Sequence, residues 1–424
     1  MYEPSQRSDR IQNLIEQAKK DVAPFWENAD RIATYHQSRL LKSFRTNQVS
    51  EFHFQPSTGY GYDDSGRETL EAIYADIFQT EAAIVRPQFT SGTHTITTAL
   101  FGVLRPGDDL LYMTGQPYDT LHGVIGGTED ESDSGSLADF QVTYRDVPLH
   151  KGHVDFTEVG QMIKEKCPKV VAIQRSKGYD DRPSFTIADI EEMIRFVKAF
   201  DERIIIFVDN CYGEFVEENE PGFVGADLMA GSLIKNPGGG LAKTGGYIAG
   251  REDLVEKCAC RLTAPGIGRE AGAMGDSLRE MYHGIFLAPH TVNQAVKGAM
   301  LTARLLELCG MDTSPRYDAP RTDLIQSVSF PDAHALVRFC QAIQQASPVD
   351  AHVLPEPSPM PGYTDHVIMA AGTFIQGSSI ELTADGPIRP PYQAFVQGGL
   401  TLEHVKVALA HALDMLVEEG LITL

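Results

Sequence analysis

A chain of 424 residues exceeds the ~250–300 residues at which one hydrophobic core usually stops growing, so two structural parts are expected. Its 36 basic and 58 acidic side chains give a formal net charge of -22 with no basic stripe, which argues against nucleic acid as a partner. The longest apolar runs, such as "RIIIFV", fall well short of the ~20 residues that cross a bilayer, and six scattered cysteines form neither a disulfide framework nor a zinc-type spacing, so a cytoplasmic protein with no membrane span and no metal is expected.

The opening segment carries charges throughout and lacks the apolar core and cleavage site of a secretory signal. Residues 9–22 place Ile11, Leu14, Ile15, Ala18 and Val22 at helical spacing, predicting an amphipathic helix, and a second polar-amphipathic stretch leads into "SFRTNQV". From about residue 70, helical and short apolar segments alternate. "TLEAIYADIF", "THTITTALFGVL" and "ADIEEMIRFVKAF" read as helices; "AAIV", "DLLYM", "VVAIQ", "RIIIFVD", "DLMAGSLI" and "GGYIAG" read as strands. This alternation predicts an α/β architecture, a mostly parallel sheet covered by helices on both faces, in which ligands bind beyond the carboxyl ends of the strands.

A long helical pattern over residues 277–308, broken at Pro289, leads into a different texture. "DLIQSVSF", "AHALVRFCQAIQQA", "VDAHVLP", "HVIMAAG" and "SSIELT" suggest a smaller α+β unit, closed by the helix "LEHVKVALAHALDMLVEE". The expected division is an N-terminal helical arm over residues 1–50, a large domain over 51–290 and a small C-terminal domain over 291–424.

Chemistry concentrates after strand ends. In "GSLIKNPGGGLAKTGG", Lys235 follows a semi-apolar run and precedes glycines. A nucleotide P-loop is disfavoured because Ala242 stands where that motif needs glycine before Lys243 and Thr244. A surface lysine beside a turn is the plain alternative. The third reading is an amine, deprotonated by burial, that holds an aldehyde cofactor as a Schiff base.

The company of Lys235 favours that third reading, because pyridoxal phosphate needs an amine, a carboxylate for its ring nitrogen and a cradle for its phosphate. Asp209 closes the strand "RIIIFVD", although an aspartate ending a strand is also an ordinary turn former. Ser91, Gly92 and Thr93 stand between "AAIV" and a helix start, where free N–H groups meet an anion, although serine and threonine there also read as a plain N-cap. Ser232 offers a further hydroxyl, and Tyr118 in "TGQPYDTL" a ring to stack on a planar group. His94 reads as support for the helix start, Cys211 as a buried strand-end neighbour and Lys243 as solvated.

In this order, the tokens "VRPQFTSGTHTI", "TGQPYDTL", "VDNCYGEF", "GADLMAGSLIKNPGGG" and "IELTADGPIR" resemble the fold-type I pyridoxal-phosphate enzymes of cysteine and methionine metabolism, and within them the aluminium-resistance or methionine gamma-lyase-like branch. The resemblance covers nearly the whole chain. It implies a seven-stranded large-domain sheet and a lyase that cleaves carbon–sulfur bonds of amino acids by β- or γ-elimination. Lys235 would carry the cofactor, Asp209 would pair its ring nitrogen, Tyr118 would stack on the ring and act in catalysis, and Ser91, Gly92, Thr93 and Ser232 would hold the phosphate. Arg389 in "DGPIRPPY", with Arg175 nearby in the pocket, would bind the substrate carboxylate.

The family builds each site across a subunit boundary, which implies a homodimer or homotetramer, with Tyr60 and Tyr62 reaching the neighbouring cofactor. Two departures stand out. "STGYGYDDSGR" has no arginine two residues after a tyrosine, leaving Arg67 as a substitute, and "RSKGYDDRPSF", with Arg175, Ser176 and Lys177, replaces the family's Pro-Thr-Asn-Pro segment. An aldolase or aminotransferase on the same scaffold, or a cofactor-binding protein without turnover, remains an alternative at the level of sequence.

Overall fold

The computed structural model describes residues 9–60, 63–126 and 134–424. Among these, seven strands form one sheet: β1 (Ala82–Arg86), β2 (Asp109–Tyr112), β3 (Thr143–Asp146), β4 (Val170–Gln174), β5 (Ile205–Asp209), β6 (Leu228–Ser232) and β7 (Gly246–Gly250). Their order is β1-β7-β6-β5-β4-β2-β3, parallel from β3 to β6, with β7 antiparallel to both its neighbours. β3 is not among the strands the apolar runs predict. It is an edge strand of sequence "TYRD" with no fully buried residue, so it carries no hydrophobic signal.

The long amphipathic stretch at the start is one helix, α1 (Asp9–Thr46), rather than two segments. Its inward stripe continues through Ala29, His36, Leu40 and Ser43, where polar residues conceal the period. The sheet is flanked by α2 (Ser65–Phe78), α3 (Gly92–Val103), the short α4 (His122–Ile125), α5 (Phe156–Glu165), α6 (Ile187–Lys198), α7 (Glu252–Leu262) and α8 (Leu278–Leu308). Strand side chains alternate between two cores. Val170, Ala172, Ile205 and Phe207 meet α3 and α7 on one face, whereas Val171, Ile173, Ile206 and Val208 meet α2, α6 and α8 on the other.

The helix α8 is unbroken over 31 residues, although a break is predicted at Pro289. An interior proline costs about 3 kcal/mol, and here Ile285, Ala288, Val292 and Leu301 are buried along the helix and offset it. Residue 290 therefore lies inside a helix.

Beyond α8 a second, antiparallel sheet forms from β8 (Thr313–Ser314), β9 (Gln326–Ser329), β10 (Val367–Ala370), β11 (Thr383–Pro387) and β12 (Gln393–Gln397), in the order β10-β11-β12-β9-β8. The helix α9 (Ala333–Gln345) packs on it, and α10 (Leu402–Glu418) packs on α9 and α8. "VDAHVLP" forms no strand, and within "SSIELT" only Thr383 is extended, as the first residue of β11. Among the described residues no helix is long and apolar enough to cross a membrane.

Candidate active site

The parallel neighbours β5 and β6 end side by side. Asp209 is the last residue of β5, in register with Ala230, and Lys235 lies three residues beyond the end of β6, just before the turn Asn236–Gly238. The Asn236 amide donates to the carbonyls of Tyr212 and Glu214, both at 2.9 Å, and so ties the lysine loop to the loop after β5. The glycines that follow are packing elements and not a phosphate cradle. A Cβ on Gly239 (φ 58°) would lie 2.3 Å from the carbonyl oxygen of Gly284 in α8.

A cavity of about 250 Å³ opens where the two sheets meet. Lys235, Asp209, Tyr118, Gly92, Thr93 and Ser232 all line it. The small sheet contributes Thr383, Asp385, Phe395 and Gln397 to the lining. The Nζ of Lys235 lies 3.9 Å from the centroid of the Tyr212 ring.

Burial alone would lower the affinity of Lys235 for its proton, as the sequence reading expects. The opposite direction prevails: among the surrounding Cys211, Tyr212, Asp209 and Glu214, a carboxylate facing the amine outweighs burial and holds its pKa above the usual lysine range. Burial pushes the thiol of Cys211 well up and also raises Tyr212, so at neutral pH both are uncharged and the effective partner is Asp209. Burial likewise pushes Glu214 up to about 8, with the Tyr247 hydroxyl donating to it at 2.9 Å.

Other expected residues are placed differently. The Ser91 hydroxyl accepts the His94 N–H at 3.0 Å as an N-cap and does not line the cavity. His94 in turn accepts the Thr90 amide, and Lys243 is exposed and paired with Glu280. Arg175 is a correction to the sequence reading. Its buried guanidinium is consumed by Thr322, Asn210, Glu217 and Glu220 and does not reach the cavity. Arg389 is 37% exposed, paired with Asp365 at 2.9 Å, and is not among the lining residues.

Ser176 does line the cavity, and its hydroxyl donates to Asp323 at 2.8 Å. Lys177 is buried behind it, donating to Ser314 and Ser327. Arg67, the expected substitute for the missing arginine, is buried and donates to the carbonyls of Gly59, Gly272 and Glu270. Tyr60 is 93% exposed and bridged to Ala271, apart from this chain's own cavity, and Tyr62 lies outside the described residues.

Sequence reasoning missed Tyr212, Glu214, Tyr179, Tyr363 and Asp385. Only Tyr212 and Glu214 carried a local signal, through their nearness to Asp209 in "VDNCYGEF".

The residues present suit pyridoxal phosphate. The Ser232 hydroxyl is fully buried and has no hydrogen-bond partner. It stands beside the start of the 12-residue α3, where a Cβ built on Gly92 would lie 3.5 Å from that of Ser232 and 4.0 Å from the Nζ of Lys235. First-turn amides without helical partners, the helix dipole and a free hydroxyl make a phosphate site, with an amine and a carboxylate alongside for the rest of the molecule.

A seven-stranded sheet of this order, with a lysine and an aspartate at adjacent strand tips and a small second sheet lining the cavity, defines the class: the pyridoxal-phosphate fold-type I architecture. More particularly, the chain belongs to the methionine gamma-lyase family, whose model matches residues 11–417. It is 59% identical over 423 residues to the Bacillus subtilis protein YnbB, covering 100% of each chain.

Among solved structures, a Listeria monocytogenes protein provisionally described as a cystathionine beta-lyase involved in aluminum resistance is 59% identical, with a TM-score of 0.92 over 95% of this chain and 99% of that one. A carbon-sulfur lyase involved in aluminum resistance from Clostridium novyi is 49% identical, with a TM-score of 0.92 over 96% of each chain.

Proposed function

We propose that the protein is a pyridoxal-phosphate-dependent carbon–sulfur lyase acting on a sulfur-containing amino acid. The observation that carries this reading is the convergence of Lys235, Asp209 and the unpartnered Ser232 hydroxyl in one cavity at the start of α3. Lys235 would hold the cofactor's aldehyde, Asp209 its ring nitrogen, the Gly92 and Thr93 amides with Ser232 its phosphate, and Tyr118 its ring face. When bound, the cofactor supplies an electron sink for the pair left at the substrate's α-carbon.

The chain's own groups manage the protons. With substrate bound, the free amine of Lys235 would take the α-proton at Nζ. Tyr118 keeps its proton, because burial raises its pKa well above the usual range, and its hydroxyl is held by that of Tyr363. It serves as the donor to the departing sulfur. The C–S bond breaks, the thiol leaves with a proton, and water converts the remainder to a 2-keto acid and ammonia.

Two identical subunits share the sites in this reading, and the exposed ring of Tyr60 is the support for that pairing. Six free cysteines fit work in the reducing cytoplasm.

The test is the absorbance of the cofactor-loaded protein before and after borohydride, with the modified peptide located by mass. Modification at Lys235 is expected, and an adduct on Lys243 overturns the site. Thiol and keto-acid release from cysteine, cystathionine or methionine is expected, and the absence of thiol from every sulfur amino acid overturns the lyase.

A further inference from the structure

The cavity lining holds a second carboxylate besides Asp209. Asp385 sits in the middle of β11, in register with Met369 of β10 and Phe395 of β12, and is 4% exposed. The Gln397 amide donates to its Oδ2 at 2.9 Å, whereas Oδ1 is buried and accepts no hydrogen bond. Among the described residues, the cavity's one lysine or arginine is Lys235, and that amine already faces Asp209.

The rings around Asp385 are the second observation. Tyr118, Tyr179 and Tyr363 form a triangle with centroids 5.7–6.0 Å apart, Phe395 lies 5.1 Å from Tyr179, and all four line the cavity. Aromatic faces beside a desolvated carboxylate oxygen attract a cation in two ways at once. A neutral occupant would leave Oδ1 unpaired, at the desolvation cost of a buried acceptor.

From this juxtaposition we propose that Asp385, with the tyrosine wall, is a specificity site for a cationic group at the far end of the substrate's side chain. The substrate class is then a sulfur-containing amino acid whose side chain carries a second, cationic group beyond the sulfur. This rests on the lyase reading for its chemistry, though not for its binding. Burial pushes the Asp385 carboxyl up to about 7 against the pull of the Tyr179 hydroxyl and the Gln397 amide, and a cation beside it would favour its charged form.

Two probes of nearly equal shape separate charge from size: S-(2-aminoethyl)-L-cysteine and its uncharged isostere S-propyl-L-cysteine. With the cofactor-loaded protein, saturation of the absorbance change gives binding and thiol release gives turnover. The wild type is expected to bind the aminoethyl probe at least about tenfold more tightly than the propyl probe, since a site built to pair a polar group discriminates against its absence. Asp385→Asn is expected to collapse that ratio to near unity.

Equal binding of the two probes by the wild type, or binding of neither, overturns the proposal without need of any variant. So does an Asp385→Asn protein that weakens both probes alike, because that is the signature of an aspartate which only positions Tyr179 and Gln397. If the charged probe binds selectively and releases no thiol, the Asp385 assignment stands and the lyase reading falls. If both probes release thiol and bind alike, the lyase reading stands and the Asp385 assignment falls.

Discussion

Lys235 rests on Tyr212, its Nζ 3.9 Å from the ring centroid, and Tyr212 reaches that place with φ at 72°. A left-handed tyrosine costs about 1–2 kcal/mol, so the surroundings hold it there, in part through the Asn236 amide bonded to its carbonyl. The ring confines the amine to one side of the cavity. Replacing it in Tyr212→Leu is expected to slow thiol release by about tenfold, the scale of a partly desolvated cation–π contact, with little change in Tm. Steady-state kinetics and a thermal scan on the same preparation check both halves.

Gly92 separates folding from cofactor binding. The space a Cβ would enter is bounded at 3.5–4.0 Å, ordinary contact distances, so Gly92→Ala is expected to fold with an unchanged Tm in the cofactor-free state. The added methyl sits between Ser232, Cys211 and the Nζ of Lys235 and would intrude on the proposed cofactor site. Overfilling of this kind costs about 1–3 kcal/mol, so pyridoxal phosphate is expected to bind about tenfold or more weakly, read by titration of its absorbance.

The pH dependence of stability has an identifiable contributor in α1. His36 is buried, with Nε2 donating to the Glu217 carbonyl at 2.6 Å and Nδ1 without a partner. Burial, aided by nearby Arg39 and Arg175 and opposed by the Glu217 carbonyl and Glu218, lowers its pKa from 6.5 to about 4. The unfolded chain gains this proton as pH drops below 6.5, while the folded chain resists until about 4. Stability is therefore present above 6.5 and lost on acidification toward 4, by about 3 kcal/mol from this residue. His36→Gln keeps a donor for Glu217 and is expected to flatten the fall in Tm between pH 6.5 and 4 relative to wild type.

Arg175 is expected to matter for folding. Its side chain is 0% exposed and meets two carboxylates, one of them, Glu220, equally buried. Breaking such a set strands charge in the interior and costs about 3–5 kcal/mol. Arg175→Met is expected to lower the denaturant midpoint by that equivalent, whereas Arg389→Ala, which removes a half-exposed pair, is expected to shift stability by no more than about 1 kcal/mol.

Much of the large sheet was legible because β4, β5 and β6 are continuous apolar runs, each buried at every position. A single charged or nucleophilic residue at the end of such a run stands out, as Asp209 and Lys235 do. The rest depends on distant partners. Arg175, directly after β4, looks like a site residue until Glu217 and Glu220 fold over it. Asp385 reads as a turn former in "ADG", and only pairing with β10 and β12 buries it in a cavity wall. Edge strand β3, with nothing to hide, gave no signal at all.

The loop that carries Lys235 lies directly on the middle of α8: Gly239 presses against the carbonyl of Gly284, and the hydroxyl of Thr291 donates to the carbonyl of Gly239 at 3.3 Å. Pro289, where α8 lacks an internal donor, falls between those two contacts. The helix acts as a keel for the reactive amine. Drift along its length, at residues far from any ligand, can therefore retune where that nitrogen points while every side chain lining the cavity stays the same.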